Sequence, residues 1–167
     1  MLELRPYDKA DAQYIVGWTK DEHAFRQWCA DRYDHYPARP RDINEFYDAA
    51  AESGSFFPFT VWDGNRAAGH LIMRFTDEEQ GVIRFGFVIV DDSLRGKGYG
   101  KQMLLLAADH AFHNLDARKI TLGVFRNNTA AYRCYESVGF REVDVAEPES
   151  YYVLGEVWEC AEMELTR

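Results

Sequence analysis

The sequence predicts one mixed α+β domain over residues 1–167, with elements in the order β-α-α-β-β-β-α-β-α-β-β. Three observations lead there. The N-terminal third places apolar residues at helical spacing. Residues 57–90 switch to β-branched and aromatic runs separated by glycine-containing turns. Beyond residue 96, glycine-bounded helical and extended segments alternate, with no repeat, linker or low-complexity run.

Leu2 and Leu4, ahead of Arg5-Pro6, read as a short first strand. Ala10, Tyr14, Ile15 and Trp18 share a helical face within Asp8 to Trp18, and Asp21 to Trp28 supports a second helical piece. Tyr33 to Arg41, with Pro37 and Pro40, reads as a loop. Asp42 is placed to cap the next helix, with Glu45 completing a capping box. Phe57 to Trp62 and Ala67 to Phe75 flank the turn Asp63-Gly64-Asn65 and form a hairpin. A turn over Asp77 to Gly81 leads into a long strand, Val82 to Val90. Gly96 to Gly100 reads as a loop, and Met103 to Phe112 as a helix with a strong apolar face. Lys119 to Val124 is a strand, and Thr129 to Ser137 a short helix stopped by Gly139. Phe140 to Val145 and Val157 to Leu165 close the domain as strands, with Pro148 in the loop between them.

The totals exclude several function classes. At 47% hydrophobic and 28% charged, the 167 residues suffice for one buried core. No apolar run approaches the ~20 residues needed to span a bilayer. The start, Met1-Leu2-Glu3-Leu4-Arg5, lacks a signal-peptide core, so a cytoplasmic protein is expected. Cys29, Cys134 and Cys160 are odd in number and far apart, which favours free buried thiols. His110 and His113 lie three apart on a helix with no third ligand near in sequence, so no metal site is expected. A net charge of −9 argues against nucleic acid or an anionic membrane as partner and mildly favours a cationic one.

The strand Val88-Ile89-Val90 feeds Asp91-Asp92-Ser93-Leu94-Arg95-Gly96-Lys97-Gly98-Tyr99-Gly100-Lys101. Glycines at alternate positions open the backbone to close approach, beside a helix N-terminus. Arg95, Lys97 and Lys101 add positive charge, which suits a diphosphate. Two other phosphate loops fail on spacing. A Walker A loop needs Gly-Lys followed by Ser or Thr, and Gln102 stands there. A dinucleotide fingerprint needs G-x-G-x-x-G, and these glycines run G-x-G-x-G. A plain glycine turn with solvated lysines is the competing interpretation. The second segment is Asn127-Asn128-Thr129-Ala130-Ala131-Tyr132-Arg133-Cys134-Tyr135-Glu136-Ser137-Val138-Gly139-Phe140. Asn128 can cap it, and Ala131, Tyr132 and Tyr135 share one face.

Together the two segments resemble the GNAT superfamily of acyl-CoA-dependent N-acyltransferases. The family's [Q/R]-x-x-G-x-[G/A] motif is matched by Arg95, Gly98 and Gly100. Its N-x-x-A-x-x-x-Y-x-x-x-G-F motif is matched by Asn128, Ala131, Tyr135, Gly139 and Phe140. The likeness covers residues 82–140, and the element order above is also the family's. Tyr151 to Glu159 is similar to the y-x-x-G-x-w-x-D tail of ribosomal-protein N-terminal and spermidine acetyltransferases, although Val157 is inserted before Trp158 and Glu159 replaces Asp. The opening Leu4 to Ala12 is similar to the same branch.

The resemblance implies an acetyl-CoA-dependent N-acetyltransferase acting on a primary amine such as a polyamine, an aminoglycoside or a protein N-terminus. It implies that backbone groups of Val88, Ile89 and Val90 pair with the pantetheine arm and that one N–H there binds the thioester oxygen. It places the diphosphate on the amides of Gly96, Lys97, Gly98, Tyr99, Gly100 and Lys101, with Asn128 touching the pantetheine or orienting its helix. It makes Tyr135 the acid that protonates the leaving thiolate, against a tyrosine that only packs. The glutamate that some members use as base, five residues ahead of the asparagine, is Gly123 here. Glu78, Glu79, Glu149 and Glu159 are candidates by type alone. A homodimer is among the expected assemblies. A non-catalytic acyl-CoA-binding module on the same fold is the alternative function.

Overall fold

The computed structural model describes residues 1–167. The chain opens with β1, Leu2–Pro6, a 3-10 turn at Lys9–Asp11, and helices α1, Ala12–Trp18, α2, Glu22–Cys29, and α3, Pro40–Ala51. Strands β2, Phe56–Asp63, β3, Arg66–Asp77, and β4, Val82–Val90, follow. A second 3-10 turn, Asp92–Leu94, precedes α4, Tyr99–His113, then β5, Lys119–Phe125, and α5, Thr129–Val138. The chain ends in β6, Arg141–Val143, β7, Ser150–Val153, and β8, Glu156–Thr166. The expected mixed architecture holds, with the three helical segments read from the sequence all preceding β2 and with β7 as an extra strand between the two expected closing strands.

Local chemistry explains two shifted boundaries. Asp42 is not the cap of α3. The helix begins with Pro40, whose missing N–H costs nothing in the first turn. Asp42 lies in that turn and accepts a bond of 2.8 Å from the Arg39 backbone N–H, while Glu45 is exposed beside Arg41. The helix expected from Met103 starts four residues earlier. Gly98 has φ +83°, a left-handed cap that only glycine adopts without strain, so Gly100 and Lys101 belong to the first turn of α4.

The sheet order is β1-β2-β3-β4-β5-β8-β6, with β7 pairing β8. Every pairing is antiparallel except β4 with β5, which α4 joins as a crossover. Both faces are covered. Leu71 and Met73 of β3 join the apolar cluster beneath α4 and α5. Ile72, between them, joins the cluster beneath α1, α2 and α3. All three are at most 2% exposed, and burial of each such side chain stabilises by about 1.5–3 kcal/mol. The buried polar groups are mostly paired: Thr60 Oγ1 donates to Asp11 at 2.7 Å, and Tyr47 Oη lies 2.7 Å from His70 Nε2.

Candidate active site

The two parallel strands at the centre pair over only three residues each, Val82 to Arg84 against Lys119 to Thr121. Beyond Arg84, the edge of β4 that faces β5 has no strand partner. A bulge causes the parting. On β3 the register passes from His70–Ile89 to Ile72–Gly86, so Phe87 and Val88 together oppose Leu71. Phe87 sits at φ +48°, a conformation rare for a bulky residue, and its carbonyl accepts a bond of 2.9 Å from the Trp28 indole. The strands diverge around a cleft of about 550 Å³, within the size range of small-molecule sites. Val88, Ile89 and Val90 line it.

The glycine loop closes one end. Gly96 and Gly98 take φ values of +72° and +83°, so the turn itself demands glycine at both positions. Gly100 has a different reason: a Cβ there would approach Cys134 Sγ to 3.2 Å, so it permits α4 to pack on α5. The amides from Gly96 to Lys101 find no backbone or side-chain acceptor in the protein, whereas the Gln102 amide returns to the Gly98 carbonyl. Six adjacent unpaired donors at a helix N-terminus leave a region of positive partial charge. Arg95 and Lys101 line the cleft beside them, as does Arg133 from the second motif. None of these three, nor Lys97, pairs with a carboxylate. Lys97 and Tyr99, expected beside the diphosphate, lie outside the cleft lining, and the Tyr99 phenol donates to Asp63 at 2.7 Å. Asp91 anchors the loop's entry, accepting from Ser93 N at 2.9 Å and from Arg66 Nη2 at 2.6 Å.

The second motif forms the opposite wall. Asn128 Oδ1 accepts from the Ala131 amide at 3.4 Å, capping α5, and the residue also lines the cleft. Tyr135 is 7% exposed and packs edge-on to Phe140. Its hydroxyl bonds to no protein group and reaches the cleft. Burial, and secondarily the adjacent Cys134, push this phenol well above its ordinary value of 10.0, so it is protonated through the neutral range.

No aspartate, glutamate or histidine lines this cleft. Glu78 accepts from Ser55 at the far end of the sheet, and Glu159 is tied to Arg126. Glu149 instead lines a second cavity of about 350 Å³. That cavity shares Phe85, Gly86, Phe87, Gly123 and Phe125 with the cleft and extends beneath α2 and α3. Gly123 is explained by Arg84. A Cβ at Gly123 would fall 2.9 Å from Arg84 Nη2, and the guanidinium is held by Glu162 at 2.6 and 3.2 Å and by Thr121 at 3.2 Å. Sequence reasoning missed Arg84, Arg133 and Cys134. The last two sit inside the second motif, about one and a half helical turns beyond Asn128, on the helix that the motif defines.

The description "Acetyltransferase (GNAT) family" fits residues 16–140 of the chain. The chain belongs to the GNAT acetyltransferase family. A stretch of 51 residues is 49% identical to an uncharacterized N-acetyltransferase of Bacillus subtilis, covering 30% of this chain and 32% of that protein's length. Spermidine N(1)-acetyltransferase of Escherichia coli is 25% identical over 141 residues, 83% of this chain and 72% of that protein. Among solved structures, spermidine N-acetyltransferase from Vibrio cholerae, in complex with CoA and spermine, superposes with a TM-score of 0.83 at 22% identity. It covers 99% of this chain and 95% of that one, and the likeness shows that the GNAT fold is shared.

Proposed function

We propose that residues 1–167 form a single acetyltransferase domain that moves the acetyl group of acetyl-CoA to a small-molecule primary amine. One observation carries this reading: strands β4 and β5 part around a cleft whose end is lined by Gly96, Gly98, Gly100 and Lys101, residues with unpartnered amides. The diphosphate binds those amides and the cations Arg95 and Lys101. The pantetheine arm runs along Val88, Ile89 and Val90, completing the open strand edge, with Asn128 alongside. A β4 amide donates to the thioester oxygen, where negative charge develops as the amine attacks. The amine nitrogen forms a bond to the acetyl carbon and loses a proton, and the carbon–sulfur bond breaks. Tyr135 donates its hydrogen bond to the departing thiolate, which ends as the free thiol. Because no carboxylate lines the cleft, the ammonium proton leaves through water. Free Cys29, Cys134 and Cys160 suit a reducing compartment, and we place the enzyme in the cytoplasm.

The relatives whose names specify a polyamine keep spermidine among the acceptors to test. The absence of a cleft carboxylate favours one second reading, an acyl-CoA-binding module without turnover. A free-thiol release assay with acetyl-CoA and a panel of primary amines separates the two. Amine-dependent thiol release is expected. Binding of acetyl-CoA with no release above the amine-free rate would leave the binding module.

A further inference from the structure

We propose that the acceptor is a primary amine that also carries a carboxylate on an apolar body, and that Arg74 holds this carboxylate in the cavity beside the cleft. The proposal rests on the transferase reading above and specifies its second substrate.

In a chain of net charge −9, the second cavity is lined by three guanidinium groups, Arg32, Arg74 and Arg84, against a single carboxylate, Glu149. Two of the three are engaged. Arg84 is bound twice by Glu162. Arg32 bonds Asp31 at 3.1 Å and the Tyr151 hydroxyl at 3.4 Å. Glu149 accepts from Tyr151 at 3.1 Å. Arg74 alone has no hydrogen bond or ion pair with any protein group.

Arg74 is exposed on β3 and lines the cavity, so its charge is free to meet a ligand. Arg74 and Arg84 are direct cross-strand partners in the antiparallel β3–β4 ladder. Like charges placed so are mutually destabilising. Partial desolvation of an otherwise exposed side chain, then Arg84 and Arg32, lower the pKa of Arg74, and Glu149 opposes them. An anion lying over the sheet face beside the two guanidinium groups would relieve this arrangement, and the planar guanidinium matches a carboxylate in two-pronged geometry. The other cross-strand neighbour of Arg74 is Phe56, and Phe46 and Ala50 also line the cavity. These take an apolar body. A polycation would instead meet the unpaired charge of Arg74, with only Glu149 as a lining carboxylate.

The shared wall at Gly86, Phe87 and Gly123 lets an amine in this cavity reach the cleft. There its nitrogen would bond to the acetyl carbon as the carbon–sulfur bond breaks, giving an amide and the coenzyme thiol. The same arginines oppose the ammonium form of the amine, which suits a site without a carboxylate base.

The test measures kcat/KM by thiol release with phenylalanine and leucine, with phenethylamine and leucinamide as counterparts lacking the carboxylate, and with spermidine. The proposal expects phenylalanine or leucine to exceed its counterpart and spermidine by about tenfold or more, the worth of a charge-assisted bond. Arg74→Ala should bring the ratio of phenylalanine to phenethylamine toward one, and Arg74→Lys should restore part of it. Arg74→Ala should not lower the melting temperature of the free protein, because it removes one of two like charges. Preference for spermidine or for the counterparts overturns the carboxylate assignment and leaves the transferase reading standing. An equal loss on phenylalanine and phenethylamine in Arg74→Ala overturns the role of Arg74. No thiol release with any amine overturns the transferase reading, and this proposal with it.

Discussion

Replacing Tyr135 with phenylalanine removes one oxygen from the cleft wall and nothing else. The ring keeps its edge-on contact with Phe140, 6.0 Å between centroids. Its hydroxyl bonds to no protein group, so no partner is stranded, and folding stability should stay within about 0.5 kcal/mol of the parent. Any large loss of turnover therefore belongs to the chemistry. A missing proton donor costs ~10²–10⁴-fold, and the lower end is expected because a thiolate with pKa ~8.5 already leaves fairly well. The pH dependence sharpens the test. Burial raises the phenol above its ordinary value of 10.0, so it stays protonated from pH 6 to 9. The parent should show no phenol-linked loss in that range, and the ratio of parent to variant turnover should stay constant. Initial rates of thiol release, with acetyl-CoA and acceptor both saturating, measure this. Unchanged turnover would remove Tyr135 from the chemistry. A ratio that shrinks between pH 7 and 9 would mean that the phenol titrates as if exposed.

Gly98→Val forces a β-branched residue to φ +83°, at about 1–2 kcal/mol of local strain; circular dichroism should show the fold retained, while calorimetric titration shows acetyl-CoA binding lost. Gly123→Glu installs a carboxylate at the position where the family resemblance leads one to expect it, but its Cβ meets Arg84 2.9 Å away. We expect a stability loss of about 1–3 kcal/mol and no gain in rate, read by thermal melting and thiol release. His70 is buried, and its pKa is lowered from 6.5 to about 3, so the unfolded chain binds a proton over that interval and the folded one does not. Stability therefore falls with pH, by about 2 kcal/mol between pH 7 and 5 from this group alone. Urea unfolding of His70→Gln at both values should show that part of the loss gone.

Central strands were legible because burial on both faces writes long apolar runs: β4 spans Val82–Val90 as its residues suggest. Periodicity reports where a helix meets the core rather than where it begins. The first turn of α4 buries nothing before Met103, which hid its start at Tyr99. Strand β7, Ser150–Val153, pairs only with β8 and buries only Val153, so no alternation marks it beside Pro148. In the site, the glycine loop and the Asn128 helix were readable because backbone conformation and capping are local. The bulge at Phe87 and the Arg74–Arg84 pairing were not, because both depend on register between strands. Gly123 showed from sequence that a glutamate is missing, but not that a guanidinium occupies its space.

If the cleft between β4 and β5 binds acetyl-CoA, thermal melting with and without the compound will show it. At 100 times its dissociation constant, a ligand of the folded state adds about 2.7 kcal/mol. For a chain of this size that raises the melting temperature by roughly 5–10 °C. A shift of that size, lost in Gly98→Val, is the predicted result. A folded protein whose melting temperature does not move in saturating acetyl-CoA would mean that the cleft does not bind the compound.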